Sequence, residues 1–149
     1  MHIRNMQRSD LGRIVEITAV AWGDMTIHKL MQDRHGVIGN MEWRERKVHE
    51  IESFCRVAPA NVIVAVQTNT VVGYATFSIN KEDKVGYIGN NAVDPSFQEK
   101  GIGAAMNRWI VQHFKEEGLR VARVSTMAHD FAAQRVYERR GFKEVAWTI

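Results

Sequence analysis

Apolar residues along this chain change period several times, and each change marks an element. Leu11, Ile14, Val15, Thr18 and Trp22 recur at helical spacing behind a polar segment, 7–10, that supplies cap residues. A short strand is expected before it, over 2–6, and the helix is expected to end near Gly23. From 24 to 40 the period weakens, and Gly36 and Gly39 indicate a loop or a broken helix. Helical period returns over 43–58, with Val48, Ile51 and Cys55 on one face and Arg44, Arg46, Lys47 and Glu50 on others. Residues 44–47, Arg-Glu-Arg-Lys, read as a solvated face, and Pro59 ends the helix.

The second half has a different rhythm. Residues 62–66, Val-Ile-Val-Ala-Val, are apolar on both faces, as a buried strand requires. A Thr68-Asn69-Thr70 turn leads to the second strand of a hairpin over 71–79, and a charged turn at 81–84 leads to a strand over 85–93. Asp94-Pro95 stops that strand, because proline lacks the donor a central ladder needs. A helix is expected over about 98–117, with Ile102, Met106, Trp109 and Ile110 in period and Gly118 as its C-cap. Residues 121–127 read as a strand. Asp130 caps a short helix holding Ala133, Val136 and Tyr137 that stops at Gly141, and 142–149 is expected as a last strand. The order β-α-α-β-β-β-α-β-α-β describes an α/β (α+β) fold with a mixed sheet, a three-strand antiparallel centre and a single domain over 1–149.

Composition narrows the class. The chain has 149 residues, 45% hydrophobic and 25% charged, which suits an ordinary globular domain. A net charge of +3 is too mild to indicate a nucleic-acid partner. No apolar run is long enough to cross a membrane, and 1–5 leads into no signal-peptide core. The single Cys55 excludes an internal disulfide and suits a reducing, cytoplasmic setting. His49-Glu50-Ile51-Glu52-Ser53 misses the H-E-x-x-H pattern at its last position, so no metal site is expected.

Candidate chemistry concentrates at 90–109. Ser96 offers a cap, and Gln98, Glu99, Lys100, Gly101, Ile102 and Gly103 run from a loop into a helix start. Gly101 and Gly103 let backbone approach a ligand with no Cβ in the way. A helix N-terminus presents unpaired N–H groups and partial positive charge, which suits a phosphate. The stretch matches neither common nucleotide fingerprint, G-x-G-x-x-G or G-x-x-x-x-G-K-[ST]. It reads instead as Asn91-Ala92-Val93-Asp94-Pro95-x-Phe97-Gln98-x-x-Gly101-Ile102-Gly103, and a second segment reads Asp130-x-x-Ala133-x-x-x-Tyr137-x-x-x-Gly141-Phe142.

At this spacing the two segments resemble the GNAT superfamily of acyl-CoA-dependent N-acetyltransferases, and the element order is similar to that fold from Ile3 to Ile149. The resemblance implies that 98–103 wraps the pyrophosphate of coenzyme A, with Lys100 adding at most a screened contact. It implies that the strand ending at Asn91, Ala92 and Val93 splays from its parallel neighbour, so that the pantetheine arm pairs with its free backbone groups. It implies that Tyr137 is the general acid for the leaving thiolate; the alternative is that Tyr137 packs against Ala133. A phenol is protonated at neutral pH and can give its proton to a thiolate of similar basicity. Asp130 stands where the family often has Asn; it accepts hydrogen bonds but cannot donate one when ionised, so capping competes with a cofactor role. The family usually has one further strand. This sequence stops at Ile149 before that strand, so the expectation is either a sheet edge covered by a second copy, as a homodimer, or a shortened chain.

No general base is evident. The positions where relatives carry a carboxylate hold Ser125 on one strand and Tyr87, Gly89, Asn90 and Asn91 on another. Water held by Asn90, Asn91 or Ser125 is one alternative and His129 another. Trp22, His28, His35 and Trp43 fall where relatives build one wall of the acceptor site; core packing of the two tryptophans is the competing reading. The function expected is acetyl transfer from acetyl-CoA, with no metal, to a small-molecule amine or a protein amine. The alternative is a non-catalytic domain that binds or senses acetyl-CoA.

Overall fold

The computed structural model describes residues 1–23 and 26–146. Five strands form one sheet in chain order: β1 (His2–Asn5), β2 (Val62–Gln67), β3 (Thr70–Asn80), β4 (Val85–Val93) and β5 (Val121–Val124). The first four pair antiparallel, and β5 runs parallel to β4. Helices α1 (Leu11–Ala21), α2 (Ile27–His35) and α3 (Trp43–Val57) precede β2, α4 (Ile102–Glu116) joins β4 to β5, and α5 (Phe131–Glu138) follows.

The unbroken apolar run of β2 follows from its place in the sheet. Val62, Val64 and Val66 pack with Ile14, Ile17, Ile51 and Cys55 of α1 and α3. Ile63 and Ala65 pack with Ile102, Met106, Ile110 and Phe114 of α4. Alternate side chains thus enter two cores, one on each face. Gly86 on β4 lets α4 come close: an added Cβ would lie 2.5 Å from the Phe114 ring.

Four expectations change. The 24–40 region contains a helix, α2; Asp24 and Met25 lie outside the described residues. No residue of α2 is fully buried, so it carries no apolar stripe for a pattern to reveal. It is held by polar contacts: Thr26 caps it by accepting from the His28 N–H, and Gln32 accepts from the Trp43 N–H at 2.7 Å. The helix expected over 98–117 begins only at Ile102, because Glu99 and Gly101 take left-handed φ of 63° and 75°. The strand expected over 142–149 is not formed over 142–146, and 147–149 lie outside the described residues. Phe142 packs on the α4 core, but Val145 is 92% exposed, so no buried face holds this segment in a ladder. The strand expected over 121–127 stops at Val124, which leaves β5 at the sheet edge.

Candidate active site

The site begins where β4 loses a neighbour. Its pairing with β5 runs from Val85↔Val121 to Ile88↔Val124 and stops there. Beyond Ile88, among the described residues, Asn91, Ala92 and Val93 pair only with β3, opposite Ala75, Tyr74 and Gly73. One edge of this part of β4 is therefore free for an added extended chain.

A bulge marks the change. Between the pairs Ala75↔Asn91 and Phe77↔Ile88, β4 advances three residues while β3 advances two. The bulged Asn90 N–H is satisfied by Thr76 Oγ1 at 2.9 Å. Gly89 makes this possible, because an added Cβ would lie 2.4 Å from that hydroxyl oxygen.

After Val93, Asp94 accepts from the Ser96 N–H at 2.8 Å and caps a short turn over Pro95–Phe97. The cap is thus Asp94, not Ser96. Asp94 also pairs with Arg13 of α1, while Arg13 Nε donates to Val71 O at 3.0 Å. The loop entrance is anchored to the first helix and to β3. Gln98 reaches back to donate to Val93 O at 3.2 Å, and the Lys100 ammonium lies 5.3 Å from the Phe97 ring centroid. The first hydrogen bond internal to α4 runs from the Ala105 N–H to Gly101 O at 3.0 Å, so the N–H groups of Ile102, Gly103 and Ala104 have no acceptor within the helix.

The two glycines of the loop do different things. A Cβ on Gly101 would meet nothing within 4 Å, and its φ of +75° is one that side chains resist. A Cβ on Gly103 would lie 3.3 Å from Asn91 Oδ1. Gly103 thus keeps α4 close to β4. Asn91 Nδ2 donates to Gly103 O at 3.2 Å and to Asn107 Oδ1 at 3.0 Å. Asn107 is buried on α4, and its side chain lowers the pKa of the neighbouring Tyr137 hydroxyl of α5. Asn91, Asn107 and Tyr137 therefore form one chain from the free edge of β4 to the last helix. Burial raises the Tyr137 pKa above its ordinary value, with Asn107 opposing, so the hydroxyl keeps its proton at neutral pH. The Tyr137 ring stands edge-on to Phe142 at 5.5 Å.

The remaining expected residues sort by what they touch. The Ile102 side chain is core, which leaves only its backbone for a ligand. Ala92 is buried against α1 and α3, whereas Val93 packs on the α4 side. Glu99 is exposed. Asp130 Oδ1 accepts from the Ala133 N–H at 3.1 Å, so this carboxylate caps α5. Ser125 and His129 are exposed. Trp43 is buried, His35 is exposed, and Trp22 lies against Tyr74 at 6.3 Å.

Two features escaped the sequence. Arg108, Val136, Arg139 and Arg140 line a cavity of about 310 Å³ between α4 and α5, and Arg140 donates to Ala104 O at 2.8 Å. Lys47, expected on a solvated face, is buried. It donates to Asn90 Oδ1 at 2.7 Å and to Glu50 Oε2 at 3.4 Å, and its ammonium lies 4.5 Å from the Trp22 ring centroid. Glu50 in turn contacts His28 Nε2 at 2.6 Å. The indole face available to a ligand amine thus carries a cation of the protein itself.

Residues 25–142 match the family model described as Acetyltransferase (GNAT) family. The mycothiol acetyltransferase of Streptomyces coelicolor is 29% identical over 84 residues, 56% of this chain and 27% of that protein. The N-acetylaspartate synthetase of Xenopus tropicalis is 31% identical over 97 residues, 64% of this chain and 36% of that protein. The chain therefore spans only about a quarter to a third of the length of these curated relatives. The paiA N-acetyltransferase of Thermoplasma acidophilum, solved in complex with coenzyme A, superposes with a TM-score of 0.72 at 18% identity, covering 95% of this chain and 89% of that one. With the family model spanning most of the residues, the strand edge, the loop and α5 included, this chain belongs to the GNAT family of acetyltransferases.

Proposed function

We propose that the protein transfers an acetyl group from acetyl-CoA to an amine by direct attack in a ternary complex. The observation that carries this reading is the free edge of β4 running straight into open N–H groups at the start of α4. An extended arm and a diphosphate would be met in sequence by these two features. Gly101 gives the cradle open space, and Gly103 holds the loop on the strand. Bound acetyl-CoA supplies the activated thioester. The N–H groups of β4, including that of Val93, would hold its carbonyl and arm, and the loop 98–103 its diphosphate. The arginines at 108, 139 and 140 add positive potential beside α4.

Tyr137 is the general acid in this reading. It is protonated at neutral pH and tied through Asn107 to Asn91, on the strand that would hold the thioester. Holding both reactants at one strand end would supply much of the rate. Asp130 is assigned to capping, not to the cofactor. The acceptor is a small molecule or a protein amine. The relatives' names supply examples of acetyltransferases and synthetases, without choosing between these classes for this chain.

The experiment is a panel of amines assayed for thiol release from acetyl-CoA. At least one amine is expected to give turnover, and Tyr137→Phe is expected to lower kcat by about 10²-fold while coenzyme A affinity stays near wild type. Tight binding of acetyl-CoA with no thiol release across the panel would favour a non-catalytic binding domain. Unchanged turnover in Tyr137→Phe would remove the tyrosine from the mechanism.

A further inference from the structure

The reading above leaves the acceptor amine without a base. An alkyl ammonium has no lone pair to attack with, and no carboxylate stands on β4 or β5 near the free edge. The element facing Asn90 from the other side is α3, and the group it presents is Lys47. This lysine is 6% exposed, a depth that lysine rarely reaches without a partner. Lysine can only donate, so the Asn90 oxygen must face it, and the 2.7 Å contact fixes the cation at the bulge. Asn90 is one residue from Asn91, whose pairing begins the strand end assigned to the thioester.

The counter-charge is placed asymmetrically. The Glu50 side chain is 44% exposed against 8% for Lys47, lies 3.4 Å from the ammonium and is shared with His28. Water screens the outer carboxylate more than the inner cation. At Asn90 the nearer and less screened charge is positive.

We propose that Lys47 is a positioning residue that stands in for a general base: its ammonium, held on Asn90, disfavours a second ammonium at the strand end, so the bound acceptor releases its proton to water and attacks as the neutral amine. The inference rests on the acetyl-transfer reading. The step balances without a further reagent. The ammonium loses one proton to solvent, the nitrogen lone pair forms the C–N bond, and the C–S bond breaks. The thiolate takes the Tyr137 proton, and the second nitrogen proton leaves to restore the phenol. The net products are the amide, the free thiol and one proton.

Among the described residues, the groups facing Lys47 from each packed element are few. Glu50 lies on its own helix, and His28 of α2 reaches it through Glu50. Trp22, just after α1, covers it, and Tyr74 of β3 lies behind Trp22, kept neutral because burial pushes its hydroxyl well up. The neighbouring Arg46 is turned to His28 O at 2.9 Å. The Cys55 thiol, pushed up to about 11 by burial, is neutral over the working range. Burial lowers the pKa of Lys47 itself while Glu50 opposes that, so the device operates below the lysine's own titration.

The test is the pH dependence of kcat at saturating acceptor, which reports the bound amine. Removing the cation in Lys47→Met is expected to move the acidic limb up by about one pH unit, since the bound ammonium loses a like-charged neighbour. Lys47→Arg restores the wild-type limb. Glu50→Gln is expected to move the limb down, because the cation is then unopposed. Opposite shifts in the two variants are what a packing role cannot produce. Should Lys47→Met fail to fold, the exposed Glu50→Gln decides alone. An unmoved limb in the variants overturns the proposal. So does a loss of rate in Glu50→Gln at every pH, which would make Glu50 the base. Wild-type protein that acetylates no amine overturns the parent reading and this one together.

Discussion

Gly89 does more for the strand end than either glycine of the loop motif. Its missing Cβ is the space occupied by Thr76 Oγ1, and that oxygen accepts the N–H of the bulged Asn90. Backbone of Thr76 lies 3.1 Å from the same point, so an added methyl cannot be accommodated by turning one side chain. Gly89→Ala is expected to cost about 1–3 kcal/mol in denaturant unfolding, as overpacking does elsewhere. An unchanged midpoint would mean that the bulge relaxes freely. Asn91 was legible because it sits inside a motif. Lys47 was not, because a lysine among charged neighbours on a helix reads as solvated. Asn90, which holds it, is 43 residues away along the chain.

At the scale of elements, α4 and its loop carry the cofactor reading. Left-handed turns at Glu99 and Gly101 delay the helix until Ile102, which leaves its first N–H groups open above the strand. Gly103→Trp places an indole where even a Cβ would sit 3.3 Å from Asn91. Coenzyme A affinity is expected to fall more than about tenfold, since the open N–H groups of the first turn would be blocked. Calorimetric titration checks this, and an affinity within twofold of wild type would place the diphosphate elsewhere. The buried hairpin and α4 were legible from period alone. Helix α2 was not, because polar contacts rather than an apolar stripe hold it. The expected last strand failed over 142–146 because apolar residues do not make a strand without a face to bury.

At the scale of the molecule, two ion pairs among the described residues tie the sheet to the segments packed on it. Arg4 of β1 holds Asp10 at 2.7 Å and 3.1 Å, and Arg13 of α1 holds Asp94 after β4. Burial alone would raise the Asp10 pKa; the Arg4 bond and the Gln7 N–H outweigh it and lower the pKa. The Asp94 pKa is lowered first by the Ser96 N–H, with Arg13 adding to this. Folded values below the unfolded ones mean stability that is present above about pH 4 and lost as pH falls through the folded pKa values. Melting temperature is therefore expected to fall steeply below about pH 4, and Asp10→Asn to flatten that fall while lowering stability at pH 7. A parallel curve for the variant would show that Asp10 plays no part. Period and punctuation by themselves determined the buried hairpin, the long helix, the glycine loop and the tyrosine that ends its helix, because these depend on neighbours within a few residues. Only the tertiary structure decided the bulge at Gly89, the burial of Lys47 on Asn90, the Asn91–Asn107–Tyr137 chain and the arginine cavity. Each joins residues from separate elements, and contacts across a fold leave no period in the chain that makes them.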